Sequence, residues 1–390
     1  MIEEKLKKLK SIINNNEKLV VLILGLGSVG NYLLNYLLSS NNDKCKIIVA
    51  GRNREKLESD VNIAMVSALI RKQKNTYVKI YDNLDLESID SISECLIKCK
   101  PDIIINTSRV YSGLKYGSIS WNTIRAYGIW APLAIKYIRN IMIAYKSIDC
   151  DALVINTSYS DATIPWLKSA GLAYPDFGSG NLNHILPRVK IALAKSFGID
   201  DFWNIEVSMA TSHFHDVLIS KEGKTNGLEQ LIIAKYHDRL LNFDQTSIFS
   251  ECKIPMPSDS KRNMMNASSN YEIICSIIKA LQEETEEVFH SPGAFGEIGG
   301  YPVLVDGKKL SARIDERNFN LKEMKEKNRL SIAFDGIKDI KNGNLEFTDE
   351  LIEKVHKSFN VSIPKIVNYS EINQIAEFII NNIIKPNKTV

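Results

Sequence analysis

The stretch Leu19-Val20-Val21-Leu22-Ile23-Leu24-Gly25-Leu26-Gly27-Ser28-Val29-Gly30 decides how the rest of the chain is read. Six apolar residues in a row, with no polar alternation, predict a strand buried on both faces. The glycines that follow keep the spacing G-x-G-x-x-G. Gly25 permits a tight turn, Gly27 lets the backbone come close to a diphosphate, and Gly30 lets the next helix pack against the strand. Leu33, Leu34, Leu37 and Leu38 then recur at helical spacing. The positive end of that helix starts at the glycines, with Ser28 and Val29 inside the loop, and favours negative charge there.

Outward from this point, apolar runs recur at residues 46–50, 77–81, 102–106 and 152–156, separated by helical patterns that include residues 86–98 and 120–145. Strand alternating with helix predicts a parallel, doubly wound sheet. The expected architecture is α/β: a Rossmann-type dinucleotide-binding domain over residues 1–156, then an α+β catalytic domain over residues 157–390. Helical patterns at 351–359 and 371–384 extend that second part. Their apolar faces suit packing on the core or on another subunit, and a homo-oligomer is expected.

The second apolar run ends in Gly51-Arg52-Asn53-Arg54, where an acidic residue would bond the ribose hydroxyls of NAD and repel a 2′-phosphate. Arg52 and Arg54 are instead suited to clamp a phosphate. NADP is therefore the preferred cofactor, with NAD the alternative. Thr107 and Ser108, after the fourth run, and Asn156, ending the fifth, complete the expected cofactor-binding set with Asn53.

The chain has 390 residues and a formal net charge of +3, from 49 basic and 46 acidic residues that are scattered rather than blocked. That balance argues against a nucleic-acid partner. Six cysteines make no disulfide framework, and Cys95 and Cys99 lack a second ligand pair at zinc spacing, so no metal is expected. No apolar stretch reaches membrane-spanning length. Ile2, Leu6, Leu9, Ile12 and Ile13 recur among lysines as an amphipathic helix rather than a signal peptide, so a cytoplasmic location and no membrane partner are expected.

From residue 152 onward the order of motifs resembles the lactate/malate dehydrogenase superfamily. Val154-Ile155-Asn156-Thr157-Ser158-Tyr159-Ser160-Asp161 resembles its strand-and-loop motif V-x-x-S-N-P-V-D. The segment from Gly178 to Gly198, with Arg188, resembles its G-T-x-L-D-x-x-R helix, and Ser212-His213-Phe214-His215-Asp216 stands where the family has G-E-H-G-D-S. Gly299-Gly300-Tyr301-Pro302-Val303 resembles a late strand pair. The first half, with Gly51-Arg52-Asn53 and a long second helix, is more similar to the saccharopine-dehydrogenase group. Departures from the pattern are specific. Ser158 replaces the family's substrate-holding Asn, and Asn183 or Ile185 stands where its catalytic Asp belongs. Arg109 and Lys115 lie in the counterpart of the mobile substrate loop without matching its arginine.

The resemblance implies an NAD(P)-dependent oxidoreductase acting on a small carboxylate-bearing substrate. Hydride transfer to a carbonyl or imine carbon leaves charge on the heteroatom, and an imidazole titrating near neutrality suits the proton donor. His213, 25 residues after Arg188, is the expected acid/base. Arg188 is the expected carboxylate clamp, because a guanidinium forks onto a carboxylate. His215, expected on the same strand face as His213, is its rival, and Asp161 and His184 are further candidates. Saccharopine- or opine-type condensation of an amino acid with an oxo acid, and a non-catalytic cofactor-binding protein, are the competing functions.

Overall fold

The computed structural model describes residues 2–39, 44–74, 77–111 and 113–387. The first half runs α1 (Ile2–Asn14), β1 (Leu19–Leu24), α2 (Ser28–Ser39), β2 (Cys45–Ala50), α3 (Arg54–Ile70), β3 (Val78–Tyr81), α4 (Ile89–Cys99), β4 (Ile103–Asn106), α5 (Gly113–Ile119), α6 (Ala131–Ser147), β5 (Leu153–Asn156), α7 (Ser160–Ser169) and β6 (Phe177–Gly178). These six strands form one sheet in the order β3-β2-β1-β4-β5-β6, with every pairing parallel. The order reverses between β1 and β4, which opens a crevice at the carboxyl ends of those strands. The sheet runs past residue 156 to include β6.

Alternate strand residues sort onto two cores. Leu22, Leu24, Ile48 and Ile104 face α4 and α6, while Val21, Ile23, Ile47 and Ile103 face α1, α2 and α3. Both faces being covered is why these strands are continuous apolar runs. The segment expected to be mostly helical, 120–145, is helical in separate pieces. A π-turn covers Ser120–Ile124, Arg125 takes a left-handed φ of 49°, and a regular helix starts at Ala131. Pro132 sits at the start of that helix, where a missing N–H costs nothing.

The second half continues α8 (Leu182–Phe197), β7 (Ile205–Ala210), α9 (His213–Glu222), β8 (Leu231–Tyr236), β9 (Arg239–Leu240), α10 (Gln245–Glu251), α11 (Asn263–Glu283), β10 (Glu286–Pro292), β11 (Gly300–Asp306) and β12 (Ser311–Ile314). It ends with α12 (Leu321–Phe334), β13 (Ile337–Lys341), β14 (Asn344–Phe347), α13 (Asp349–Phe359), β15 (Ile366–Asn368) and α14 (Ile372–Ile379). Its strands form three antiparallel sheets. The acidic run at 283–287 spans two elements: α11 stops at Glu283, and Glu286 and Glu287 open β10.

The C-terminal extension returns to the parallel sheet. Trp166 in α7 donates its indole N–H to Gly343 O at 2.9 Å, and Arg139 in α6 donates to Tyr369 O and to Asn373 Oδ1. Leu345, Phe347, Leu351, Val355, Val367 and Ile372 join the core beneath α6. Among the described residues, no helix is long and apolar enough to cross a membrane.

Candidate active site

The glycine turn is held from the neighbouring strand. Gly25 has a φ of 90°, Thr107 Oγ donates to Gly25 O at 2.6 Å, and Ser108 Oγ donates to Leu24 O at 2.9 Å. A side chain at Gly25 would collide with Ser108 Oγ, and one at Gly30 with Gly25 O. Gly27 differs: nothing lies within 4 Å of where its Cβ would be. It borders two adjoining cavities, of about 360 and 820 Å³. Ser28 begins α2 and accepts a 2.5 Å hydrogen bond from Asn263, while Val29 lines the larger cavity.

The smaller cavity is bounded by Gly25, Gly27, Arg52, Asn53, Lys56 and Ser108, and no carboxylate lines it among the described residues. Asn53 also caps α3, accepting from Lys56 N at 2.9 Å. Two expectations fail here. Arg54 is drawn away by Glu58 at 2.7 Å and Asp82 at 3.1 Å and does not line the cavity. Asn156 is fully buried beneath both cavities, bonded to Asn106 and Ser160, so it supports the strand ends instead of meeting a ligand.

His213 lines the larger cavity from the first turn of α9. Its Nδ1 lies 2.8 Å from Asp335 Oδ2, and its backbone N–H donates to Asp161 Oδ1 at 3.0 Å. Asp335 is fully buried and also accepts from Tyr159 O–H at 3.0 Å and from Tyr127 N–H at 3.1 Å. The Tyr127 ring stands edge-on to the imidazole, with centroids 4.5 Å apart. Burial opposes a charge on His213, but Asp335, Asp161 and Asp216 together outweigh it and raise the imidazole's pKa. With Nδ1–H given to Asp335, Nε2 is left to exchange a proton with a ligand. Tyr159, at φ 45° and ψ 52°, is a non-glycine residue held left-handed beside this pair.

The remaining catalytic expectations are corrected. His215 lies in helix α9 rather than a strand, so two residues turn it to the opposite side from His213. Its ring is spent on Ser331 Oγ and Thr225 O, and burial pushes its pKa down to about 4. Asp161 does not line the cavity; its two oxygens hold His213 N–H and Asn181, so it positions α9. Arg188 does line the cavity, but Nη1 is committed to Cys252 O at 3.0 Å and Ile254 O at 3.3 Å, and Nη2 to Met256 Sδ at 2.9 Å. Only its Nε remains without a partner, so Arg188 has no fork to offer. Arg109 lines both cavities instead, with one Nη on Thr157 O at 3.3 Å. The side chain of Lys115 lies outside the described residues. His184 lines the cavity with a buried, unpartnered Nε2, and burial drives its pKa down to about 3.

Asp335, Asp216, Tyr159 and Arg262 were missed in the sequence. Asp335 follows α12 and precedes Gly336, a pattern that reads as an ordinary turn. Asp216 is buried in the cavity wall, and burial pushes its carboxyl up to about 8 despite His213 and Arg188 nearby.

No family model and no curated protein matches the sequence. Solved structures do match. Lactate dehydrogenase from Eimeria maxima superposes with a TM-score of 0.52 and 12% identity, over 81% of this chain and 92% of that one. Malate dehydrogenase from Aeropyrum pernix gives 0.52 and 13%, over 80% and 96%. The chain has the lactate/malate dehydrogenase fold. At this identity the resemblance is a likeness of fold, and within that fold the partner of His213 comes from residue 335 rather than from the helix that carries Arg188.

Proposed function

We propose that this protein is an NADP(H)-dependent oxidoreductase that reduces a ketone or imine carbon beside a carboxylate. The observation that carries the proposal is the His213–Asp335 pair at 2.8 Å, opening on a cavity continuous with the turn at Gly27. The Eimeria maxima enzyme was solved with NADH and oxamate, which supports a nicotinamide dinucleotide and an oxo-acid analogue in the corresponding crevice. The residues fit such a cofactor. Gly27 leaves room for a diphosphate at the start of α2, and Arg52, on a cavity wall with no lining carboxylate, suits a 2′-phosphate, while Lys56 is paired with Asp60 at 2.8 Å.

When bound, the reduced nicotinamide supplies the hydride. His213 holds the proton that the substrate heteroatom receives, and Asp335 fixes its tautomer and stabilises the imidazolium form. Arg109 takes the carboxylate next to the reacting carbon, the part expected of Arg188. Asp161 and Asn181 set the entry of α9, and the aromatic rings of Tyr127, Tyr159 and Trp130 keep water from the reacting face. The opine- or saccharopine-type reading gains support from cavity size and from further cations, Arg262 and Lys221, beyond Arg109.

The test is a nicotinamide absorbance assay with NADPH and NADH against a panel of oxo acids, with and without amino acids. Oxidation of NADPH by one class, slowed about 10²–10⁴-fold by His213→Ala, is expected. NADPH binding with no turnover of any panel member would leave a non-catalytic cofactor-binding protein. In titrations, Arg52→Ala is expected to weaken NADPH by about 1–3 kcal/mol and leave NADH unaffected, whereas Arg54→Ala changes neither. Equal affinity of the wild type for both cofactors would overturn the NADP assignment.

A further inference from the structure

One wall of the larger cavity is made by single faces of two helices. His184 and Arg188 lie one turn apart on α8, and His213, Asp216 and Ser220 lie at successive turns of α9. Four polar atoms on this wall are buried and unpartnered: His184 Nε2, Arg188 Nε, Asp216 Oδ1 and Ser220 Oγ. Arg188 and Asp216 are each only 3% exposed. Buried polar atoms without partners are rare and costly, and they gather here on a surface that faces an open cavity of about 820 Å³.

The charges point one way. Arg109, Arg188, Arg262 and Lys221 line the cavity, against Asp216 as its one carboxyl among the described residues. Arg262, just before α11, makes no side-chain hydrogen bond or ion pair among the described residues. Lys221 stands at the mouth with Nζ 5.0 Å from the Trp121 ring centroid. Arg188 and Ser220 bring unpartnered N–H and O–H donors to this wall. A single substrate carboxylate at Arg109 leaves these donors and Arg262 unused.

We infer that the α8–α9 wall is a second anion subsite, where Arg262, Arg188 Nε–H and Ser220 O–H hold a second acidic group of the substrate, a carboxylate or a phosphate. The substrate is then a dianionic oxo or imino acid. This rests on the proposed function only in placing the first acidic group at Arg109, beside the reacting carbon. A monocarboxylate such as pyruvate fills one subsite; a dianion long enough to reach from Arg109 to Arg262 fills both.

Calorimetric titration of the protein with NADP⁺ bound, where no reduction can occur, tests this with three probes: pyruvate, 2-oxoglutarate and 3-phosphonopyruvate. At least one dianion is expected to bind about ten-fold or more tightly than pyruvate, because a charge-assisted contact is worth roughly that factor. Whichever dianion gains more identifies the acidic group as carboxylate or phosphate. In Arg262→Ala the ratio is expected to fall to within about three-fold, and Arg262→Lys, which keeps the charge, to restore part of it. Ser220→Ala provides an independent, smaller drop if the arginine variant melts early. A wild-type ratio near one, no binding of any probe, or a ratio that survives Arg262→Ala overturns the subsite. Turnover of pyruvate that depends on His213, with a ratio near one, sinks the subsite and keeps the proposed function. Tight dianion binding with no turnover of any oxo acid does the reverse.

Discussion

His213 and His215 differ by two positions and by everything else that matters to chemistry. His213 faces a cavity with Asp335 behind it; His215 is enclosed, with both ring nitrogens occupied. Reduction needs His213 protonated, so kcat/KM should fall as pH rises through its raised pKa. Asp335→Asn removes the first carboxylate that holds the proton, so the falling limb is expected to move to lower pH. An Asp335→Asn profile that loses rate uniformly, with the limb unmoved, would reduce Asp335 to a structural role. Asp216 makes a separate, thermodynamic prediction. Its folded pKa of about 8 lies above an ordinary carboxyl near 3.9. The folded state therefore binds the extra proton between those limits. The stabilisation is full below about pH 4, declines by at most about 1.4 kcal/mol per pH unit, and is lost above about pH 8. Asp216→Asn, still facing His213, His184, Arg188, Arg262 and Asp161, is expected to gain stability relative to wild type as pH rises from 5 to 8. Parallel melting curves across that range would show that Asp216 is already ionised.

At the scale of elements, the turn between β1 and α2 divides its glycines by task. Gly25 and Gly30 are demanded by the fold, because a Cβ at either meets neighbouring atoms. Gly27 is not demanded by packing, since its Cβ position is open. Gly27→Ala is therefore expected to keep the melting temperature within a few degrees while weakening NADPH binding about ten-fold or more, by blocking approach of the diphosphate. Unchanged NADPH affinity would place the dinucleotide elsewhere. α9 shows the opposite situation, where pattern misleads. His213 to Asp216 reads as the end of a strand after β7, but the chain turns into a helix at Ser212, where Asp161 accepts the His213 N–H. A carboxylate from 52 residues away supplies the acceptor that a local capping side chain otherwise provides.

For the whole molecule, the C-terminal extension is part of the core. Leu345, Phe347, Leu351, Val355, Val367 and Ile372 are fully or almost fully buried. Burial of each is worth about 1.5–3 kcal/mol, and their sum rivals the whole net stability of a domain, about 5–15 kcal/mol. A chain ending at Gly336 retains every residue of the proposed dyad, yet it is expected to lose its cooperative thermal transition and bind a hydrophobic dye. A cooperative melt within a few degrees of the full chain would show that the extension is an appendage. The extension also holds the chain beside the dyad: Thr348 N–H donates to Gly336 O at 2.9 Å, while Asp335 itself is fixed by Tyr127 N–H and by Gly128 N–H, which donates to its backbone O at 2.8 Å.

The parallel sheet and its crevice were legible in the chain itself. Buried strands need continuous apolar runs, and a diphosphate-binding turn needs glycines at fixed spacing, so both leave local marks at Leu19–Gly30. Arg52 and His213 stood out for the same reason, each lying just after a recognisable element, and each lines a cavity. What the tertiary structure decided was partnership. Arg52 faces the cavity while Arg54, two residues on, is captured by Glu58 and Asp82; Arg188 spends its fork on the carbonyls of residues 252 and 254. Asp335 reaches His213 across 122 positions in sequence. A hydrogen bond across such a separation imposes no spacing on the chain, because the intervening elements set its geometry. Only the packed α12, α9 and α7 together determine which carboxylate stands behind the imidazole.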